Sequence, residues 1–346
     1  MQFEEIMDLI RDGLTGEAEH DLPYLKDQME KYKEHELARE ILRECGRITY
    51  ELLPADKKAE LEEAAKKDDL GLDEQLEKAE FYLYKKDFDK AIEIIEPLAE
   101  KLDMLTAAEA FQNDSVSEYY CFTELFQEIL QHQLSGSKKT FRNAPIPFAK
   151  VYNRYGIVLV DLKRYEEAGR TLEKSLRWNP IDADTMFEYA ETFKLRGDLE
   201  KFFEVTKDAF RIAYRPVSVA RCYRNLGYYF SEKRLWDVAA ACIIMSTQYV
   251  PNDKNAQSEL YYIEHMSGKR IKNPDFDEFR KYAGEYGFPV GADDDILGLA
   301  AQFGKHFLNE GRNDMAEYFL TIFYELTDDE QVKAILEQIS YDETEK

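Results

Sequence analysis

The sequence predicts an all-α solenoid of stacked helix-turn-helix units, with extra helices at the N-terminus and a capping helix at the C-terminus. The first observation is a recurrence of residue types. Tyr152, Tyr155, Gly156, Leu159, Ala168, Leu172, Ser175 and Pro180 stand at positions 4, 7, 8, 11, 20, 24, 27 and 32 of a 34-residue unit that starts at Ala149. Tyr223, Leu226, Gly227, Phe230, Ala239, Ile243, Ser246 and Pro251 stand at the same positions of a unit that starts at Ala220. The second is composition: 44% hydrophobic and 34% charged residues suit many amphipathic helices, each with an exposed polar face. The third is the scarcity of breakers, 16 Gly and 10 Pro in 346 residues, which excludes a low-complexity or disordered chain. A repeated helical hairpin cannot bury its apolar face alone, so such units stack.

Residues 1–70 read as an acidic N-terminal helical segment without a clean repeat, with helices expected over 2–12, 18–33, 35–53 and 54–67. Pro54 suits the first turn of the last of these, where its missing N–H costs nothing. A first repeat-like unit spans 72–105, with Ala79 and Ala91 at the small positions, a turn at Lys86-Asp87, and Pro97 expected to kink the second helix. Residues 106–148 break the period. They read as an irregular insertion: a turn at Asn113-Asp114-Ser115, a helix over 118–133, and a breaker-rich loop over 135–147. Such an insertion either borders a binding site or is an inert linker, and the sequence leaves both open.

Three units follow at 149–182, 183–216 and 220–253. The middle one carries Phe202 where a small residue is expected, which predicts looser packing of its hairpin. Its Arg196-Gly197-Asp198 turn is a sound helix stop and restart. Residues 254–287 form a degenerate helical pair, 297–330 a last repeat-like unit, and 331–346 a capping helix and tail.

These residues resemble the tetratricopeptide repeat family. The resemblance implies a right-handed superhelix in which first helices line a concave groove, and positions 2, 5, 9 and 12 of each unit face a ligand. On this sequence those positions include Lys150, Asn153 and Ile157, then Phe187 and Glu191, then Arg221, Arg224 and Tyr228, with Arg154 and Asn225 beside them. Lys150, Arg154, Arg221 and Arg224 would form a basic cluster. Asn153 and Asn225 would offer both donor and acceptor to an extended backbone. One subgroup of the family clamps the terminal carboxylate of chaperone tails, and of its clamp positions only Arg221 matches here.

Charge supports attention to the centre. The chain carries a formal −24, yet residues 138–235 hold 20 basic and 13 acidic side chains. Opposite charge is focused by concave surfaces, so the implied ligand is an acidic or C-terminal carboxylate segment. The competing reading is that the central arginines pair with Asp184, Glu188 or Glu191 and merely tie repeats together.

Catalytic and metal chemistry finds little footing. The five histidines are scattered, Gly-rich phosphate loops and a GxSxG elbow are absent, and no cofactor is expected. Asp293-Asp294-Asp295 lacks calcium-loop spacing and suits a helix start. Cys45, Cys121, Cys222 and Cys242 form no CxxC pair, and each reads as a small buried hydrophobe. With no signal-peptide pattern near Met1 and no apolar run of roughly 18 residues, a cytoplasmic protein is expected. The function this implies is a non-enzymatic scaffold that binds a peptide or protein segment. A peptide-sensing, ligand-gated regulator is the alternative, and nucleic-acid binding through the basic repeats is a third reading.

Overall fold

The computed structural model describes residues 3–33, 35, 37, 41, 44, 45, 48, 49, 52, 71–107, 111 and 113–344. Of the N-terminal helices, that expected over 35–53 falls largely, and that over 54–67 wholly, outside them. Residues 1–78, 104–119 and 139–142 form one compact unit, and residues 79–103, 120–138 and 143–346 form another.

In the first unit, α1 (Phe3–Asp12) and α2 (Ala18–Tyr32) enclose a core of Ile6, Met7, Ile10, Leu25, Tyr32, Ile41, Cys45 and Ile48. The α1–α2 loop is held by Asp21, whose carboxylate accepts the backbone N–H groups of Thr15 and Gly16 at 2.8 Å each. Burial alone would raise this carboxyl; hydrogen bonds from His20, Thr15 and Gly16 instead bring it down to about 2. Arg11 and Arg142 both donate to the Glu44 carboxylate, at 3.3 and 3.2 Å.

Helices α3 (Leu72–Tyr84) and α4 (Phe88–Ala107) form the first pair, and α4 continues through Pro97. Strand β1 (Ser117–Tyr120), helix α5 (Leu125–Ser135) and strand β2 (Thr140–Asn143) follow. The remaining helices are α6 (Phe148–Asp161), α7 (Tyr165–Trp178), α8 (Ala183–Arg196), α9 (Leu199–Phe210), α10 (Pro216–Glu232), α11 (Trp236–Tyr249), α12 (Lys254–Ser267), α13 (Phe276–Tyr286), α14 (Asp294–Asn309), α15 (Asn313–Thr327) and α16 (Glu330–Thr344). The fold is an all-α repeat fold that carries one small two-stranded sheet.

The repeat shows most clearly in its turns. Lys86, Lys163, Gly197, Arg234 and Gly311 all take left-handed φ, between 57° and 79°. Each is position 15 of its unit. The N–H of each donates to the carbonyl three residues back, and the next N–H (Asp87, Arg164, Asp198, Leu235, Arg312) reaches the carbonyl five residues back. This is the Schellman stop, which satisfies orphan carbonyls at a helix end. Position 16 then caps the second helix: its carbonyl accepts from Ala91, Ala168, Phe202, Ala239 or Ala316. One backbone device therefore closes five helix pairs, whether the turn residue is glycine or a long cation.

Close helix approach explains the glycines. A Cβ on Gly156 would lie 2.5 Å from Leu172 Cγ, one on Gly227 2.2 Å from Ile243 Cδ1, and one on Gly304 2.6 Å from Leu320 Cδ2. Position 8 thus meets position 24 in three units. In the middle unit Phe202 is fully buried with Ala190, Phe193 and Val205, and its ring meets Tyr228 of the next unit edge-on at 5.8 Å.

Residues 118–120, expected to be helical, form β1 instead, and helix α5 starts only at Leu125. Two causes are visible. Asn113 and Asp114 side chains accept the N–H groups of Tyr119, Val116 and Ser117, which turns the chain into an extended run. That run is rich in aromatic side chains, which favour strands. Part of the expected 135–147 loop is β2, and Asn143 bonds both the N–H and the C=O of Phe122. The insertion is not a linker: Phe126 is fully buried between Tyr214 and Phe319, and its N–H donates to the Tyr318 hydroxyl at 3.2 Å.

Candidate functional site

The residues selected from the sequence lie on α6, α8 and α10, the first helices of three successive pairs. On α6, Lys150 Nζ and Arg154 Nε converge on one carboxylate of α3, that of Glu80, at 3.3 and 2.8 Å. Burial would raise the Glu80 carboxyl, but the bonds from Arg154 and Lys150 hold it below its ordinary value. Asn153 is buried and already engaged: its Nδ2 donates to Thr185 Oγ1 at 2.9 Å, and its Oδ1 accepts from Arg154 Nη1 at 2.6 Å. Ile157 lines an open cavity of about 660 Å³ with Glu80, Leu83, Lys86, Arg154 and Asp161.

Further along, Phe187 is buried beneath the Arg221 guanidinium, 4.8 Å from it, while Arg221 Nη2 donates to Glu188 Oε1 at 3.0 Å. Arg224 pairs with Asp253, which caps α12, at 2.7 Å. Glu191 pairs with Lys194 at 2.5 Å, and the Lys194 ammonium sits 4.9 Å from the centre of the Tyr228 ring. Asn225 makes one long contact, 3.5 Å to Thr206 Oγ1.

These cations therefore do not present an uncompensated basic patch. Each of the four cations has an acid of a neighbouring helix or of its cap. Asn153 to Thr185, Arg221 to Glu188, and Lys150 and Arg154 to Glu80 all join one first helix to another. The sequence had weighed Glu188 as an interlocking partner. It had not foreseen Glu80, which lies 74 residues before Arg154, or Asp253, the last residue of the 220–253 unit and the cap of α12.

One residue of this region was missed. Glu259 of α12 has its Oε2 out of contact with water, and among the described residues this is the buried side-chain oxygen or nitrogen without a hydrogen-bond partner. Burial pushes its carboxyl up to about 7, with Asp253 adding to the rise and Arg224 and Lys194 opposing it. Tyr262 and Met266 follow one and two turns later on α12, and both are about half exposed. Nothing in the sequence distinguished Glu259 from the other 69 acidic residues, because the 254–287 segment carries no repeat register.

Asp293 does cap a helix, its carboxylate accepting the Asp295 N–H at 2.9 Å. Cys45, Cys222 and Cys242 are buried, Cys121 is partly so, and all four are free thiols. Among the described residues, no cluster of three His, Cys, Asp or Glu side chains fits a metal ion, and no helix is long and apolar enough to cross a membrane.

Residues 149–182 match the tetratricopeptide repeat family. No curated protein matches the chain. Among solved structures, pilF of Pseudomonas aeruginosa is 12% identical, covering 79% of this chain and 98% of its own, with a TM-score of 0.39. YrrB, described as a TPR protein with an unusual peptide-binding site, is 13% identical over 62% of this chain and 98% of its own, at 0.30. The Cut9–Hcn1 assembly of the APC/C is 15% identical over 99% of this chain and 64% of its own, at 0.33. These scores are too low to bear on this chain's fold or function. The match covers the α6–α7 pair alone, and the same recurrent turn closes four further helix pairs of the chain.

Proposed function

We propose that the chain is an interaction scaffold that holds a segment of a partner protein or peptide along its row of first helices, α6, α8, α10 and α12. The repeat units proposed as its working parts are 72–105, 149–182, 183–216, 220–253 and 297–330. The observation that carries this reading is the set of side-chain bonds between successive first helices. They fix the row in register while leaving Ile157 at an open cavity and Tyr262 and Met266 half exposed. A prealigned surface of that kind lowers the ordering cost of binding an extended segment.

A preference for acidic segments has less support than the charge count suggested. Lys150, Arg154, Arg221 and Arg224 would each have to exchange an internal acid for the partner's. The test is quantitative recovery of partners by the full chain and by variants. Ile157→Arg with Tyr262→Arg should lower recovery at least tenfold, and Lys201→Glu on α9 should leave it unchanged. Equal recovery by all three proteins would overturn the assignment of the row.

A further inference from the structure

Glu259 of α12 lies near two cations that are already paired. Lys194 is committed to Glu191, and Arg224 to Asp253. Both cations lie close enough to influence Glu259, yet neither bonds it. Three carboxylates thus share two cations. A carboxylate oxygen sheltered from water and accepting no hydrogen bond is an unfavourable arrangement unless something else supplies a donor.

The surroundings say which donor. Glu259, Tyr262 and Met266 are spaced i, i+3 and i+7 on α12, so they share one helical stripe. Tyr262 also neighbours Tyr228 of α10. An anionic group placed here would face an uncompensated carboxylate. A guanidinium binds best where both carboxylate oxygens are open to it, and Oε2 of Glu259 is sheltered. An ammonium needs only acceptors, and its methylene stem packs readily on apolar and aromatic surface.

We propose that Glu259, Tyr262 and Met266 form a subsite for a lysine side chain of a bound partner segment, the ammonium donating to Glu259 Oε2 and the stem lying along Tyr262 and Met266. This rests on the reading of the first-helix row as the binding face. Meeting the ammonium requires the Glu259 side chain, which is only partly buried as a residue, to turn outward.

The test uses the full chain with ¹³C-labelled Glu and Tyr, at pH 8, titrated with Nα-acetyl-lysine N-methylamide. The control compound carries an acetyl group on Nε as well. The expected result is a saturable shift of the Glu259 carboxyl and Tyr262 ring signals, at least tenfold weaker with the acetylated control. Glu259→Gln should abolish the Tyr262 response. A Glu259 signal that ignores the lysine compound, or a Tyr262 response that survives Glu259→Gln, overturns the subsite. Failure of Ile157→Arg with Tyr262→Arg to reduce partner recovery, with the lysine response intact, counts against the scaffold reading alone. A missing lysine response in a protein whose recovery does depend on the row counts against the subsite alone.

Discussion

Adding a single methyl group to Gly227 should force α10 away from α11. The new Cβ would sit 2.2 Å from Ile243 Cδ1, 2.7 Å from Ile243 Cγ1 and 3.4 Å from the Ala239 carbonyl oxygen. Ile243 is fully buried, so its side chain has no open space to move into. Overpacking of this kind costs about 1–3 kcal/mol. Alanine in a helix interior recovers about 1 kcal/mol relative to glycine. The net expectation is a loss of about 0–2 kcal/mol. Gly298 on α14 is the internal control: nothing lies within 4 Å of its would-be Cβ, so Gly298→Ala should stabilise by about 1 kcal/mol from helix propensity alone. Urea unfolding of the full chain, followed by circular dichroism, gives the comparison. Amide exchange over α10 and α11 localises it, since repeat arrays can unfold in parts. If Gly227→Ala proves as stable as Gly298→Ala, the inferred contact of position 8 with position 24 is wrong.

Further outcomes follow from individual contacts. Lys163 holds φ of 61° at the α6–α7 turn, where its counterpart Gly197 is unstrained, so Lys163→Gly should raise the urea midpoint by an amount equal to about 1 kcal/mol. Glu80→Gln removes the acid shared by Lys150 and Arg154 and should cost about 0.5–1.5 kcal/mol at neutral pH. Because the folded Glu80 carboxyl titrates below its ordinary value of 4.5, its contribution is present above that pH and is lost as pH falls through the folded value. Acidification should therefore narrow the gap between wild type and variant, as urea midpoints at pH 7 and pH 3 will show. Glu259 has the opposite sign. Its folded carboxyl titrates near 7, above the 4.5 of the free group, so the native state loses stability as pH rises between those values. Glu259→Gln should match wild type near pH 4 and exceed it by about 1–3 kcal/mol at pH 8.

The repeat was legible because its signals are local. Gly156 and Gly227 mark close helix contacts with Leu172 and Ile243, sixteen residues away, and a fixed spacing suffices to find them. The recurrent left-handed turn was half visible. Gly197 announced it, but Lys86, Lys163 and Arg234 occupy the same backbone state without a glycine's signature. The strands β1 and β2 were missed because side chains of Asn113, Asp114 and Asn143, not backbone propensity alone, set their ends. Most acid partners of the central cations went unseen for a different reason. Charge counted along a segment ignores acids brought in from outside it, and Glu80 and Asp253 both lie beyond residues 138–235. Glu259 was illegible because its distinguishing property, an oxygen without a donor, exists only once the chain has folded.

Site-specific photocrosslinking tests the binding face most directly. A benzophenone amino acid placed singly at Ile157, Tyr262, Lys201 or Glu204 of the full chain samples the first-helix row at the first two positions and exposed sites on α9 at the last two. Irradiation in the native cell should give a discrete partner adduct from positions 157 and 262 and none from 201 and 204. Adducts confined to α9, with the row silent, would contradict the account.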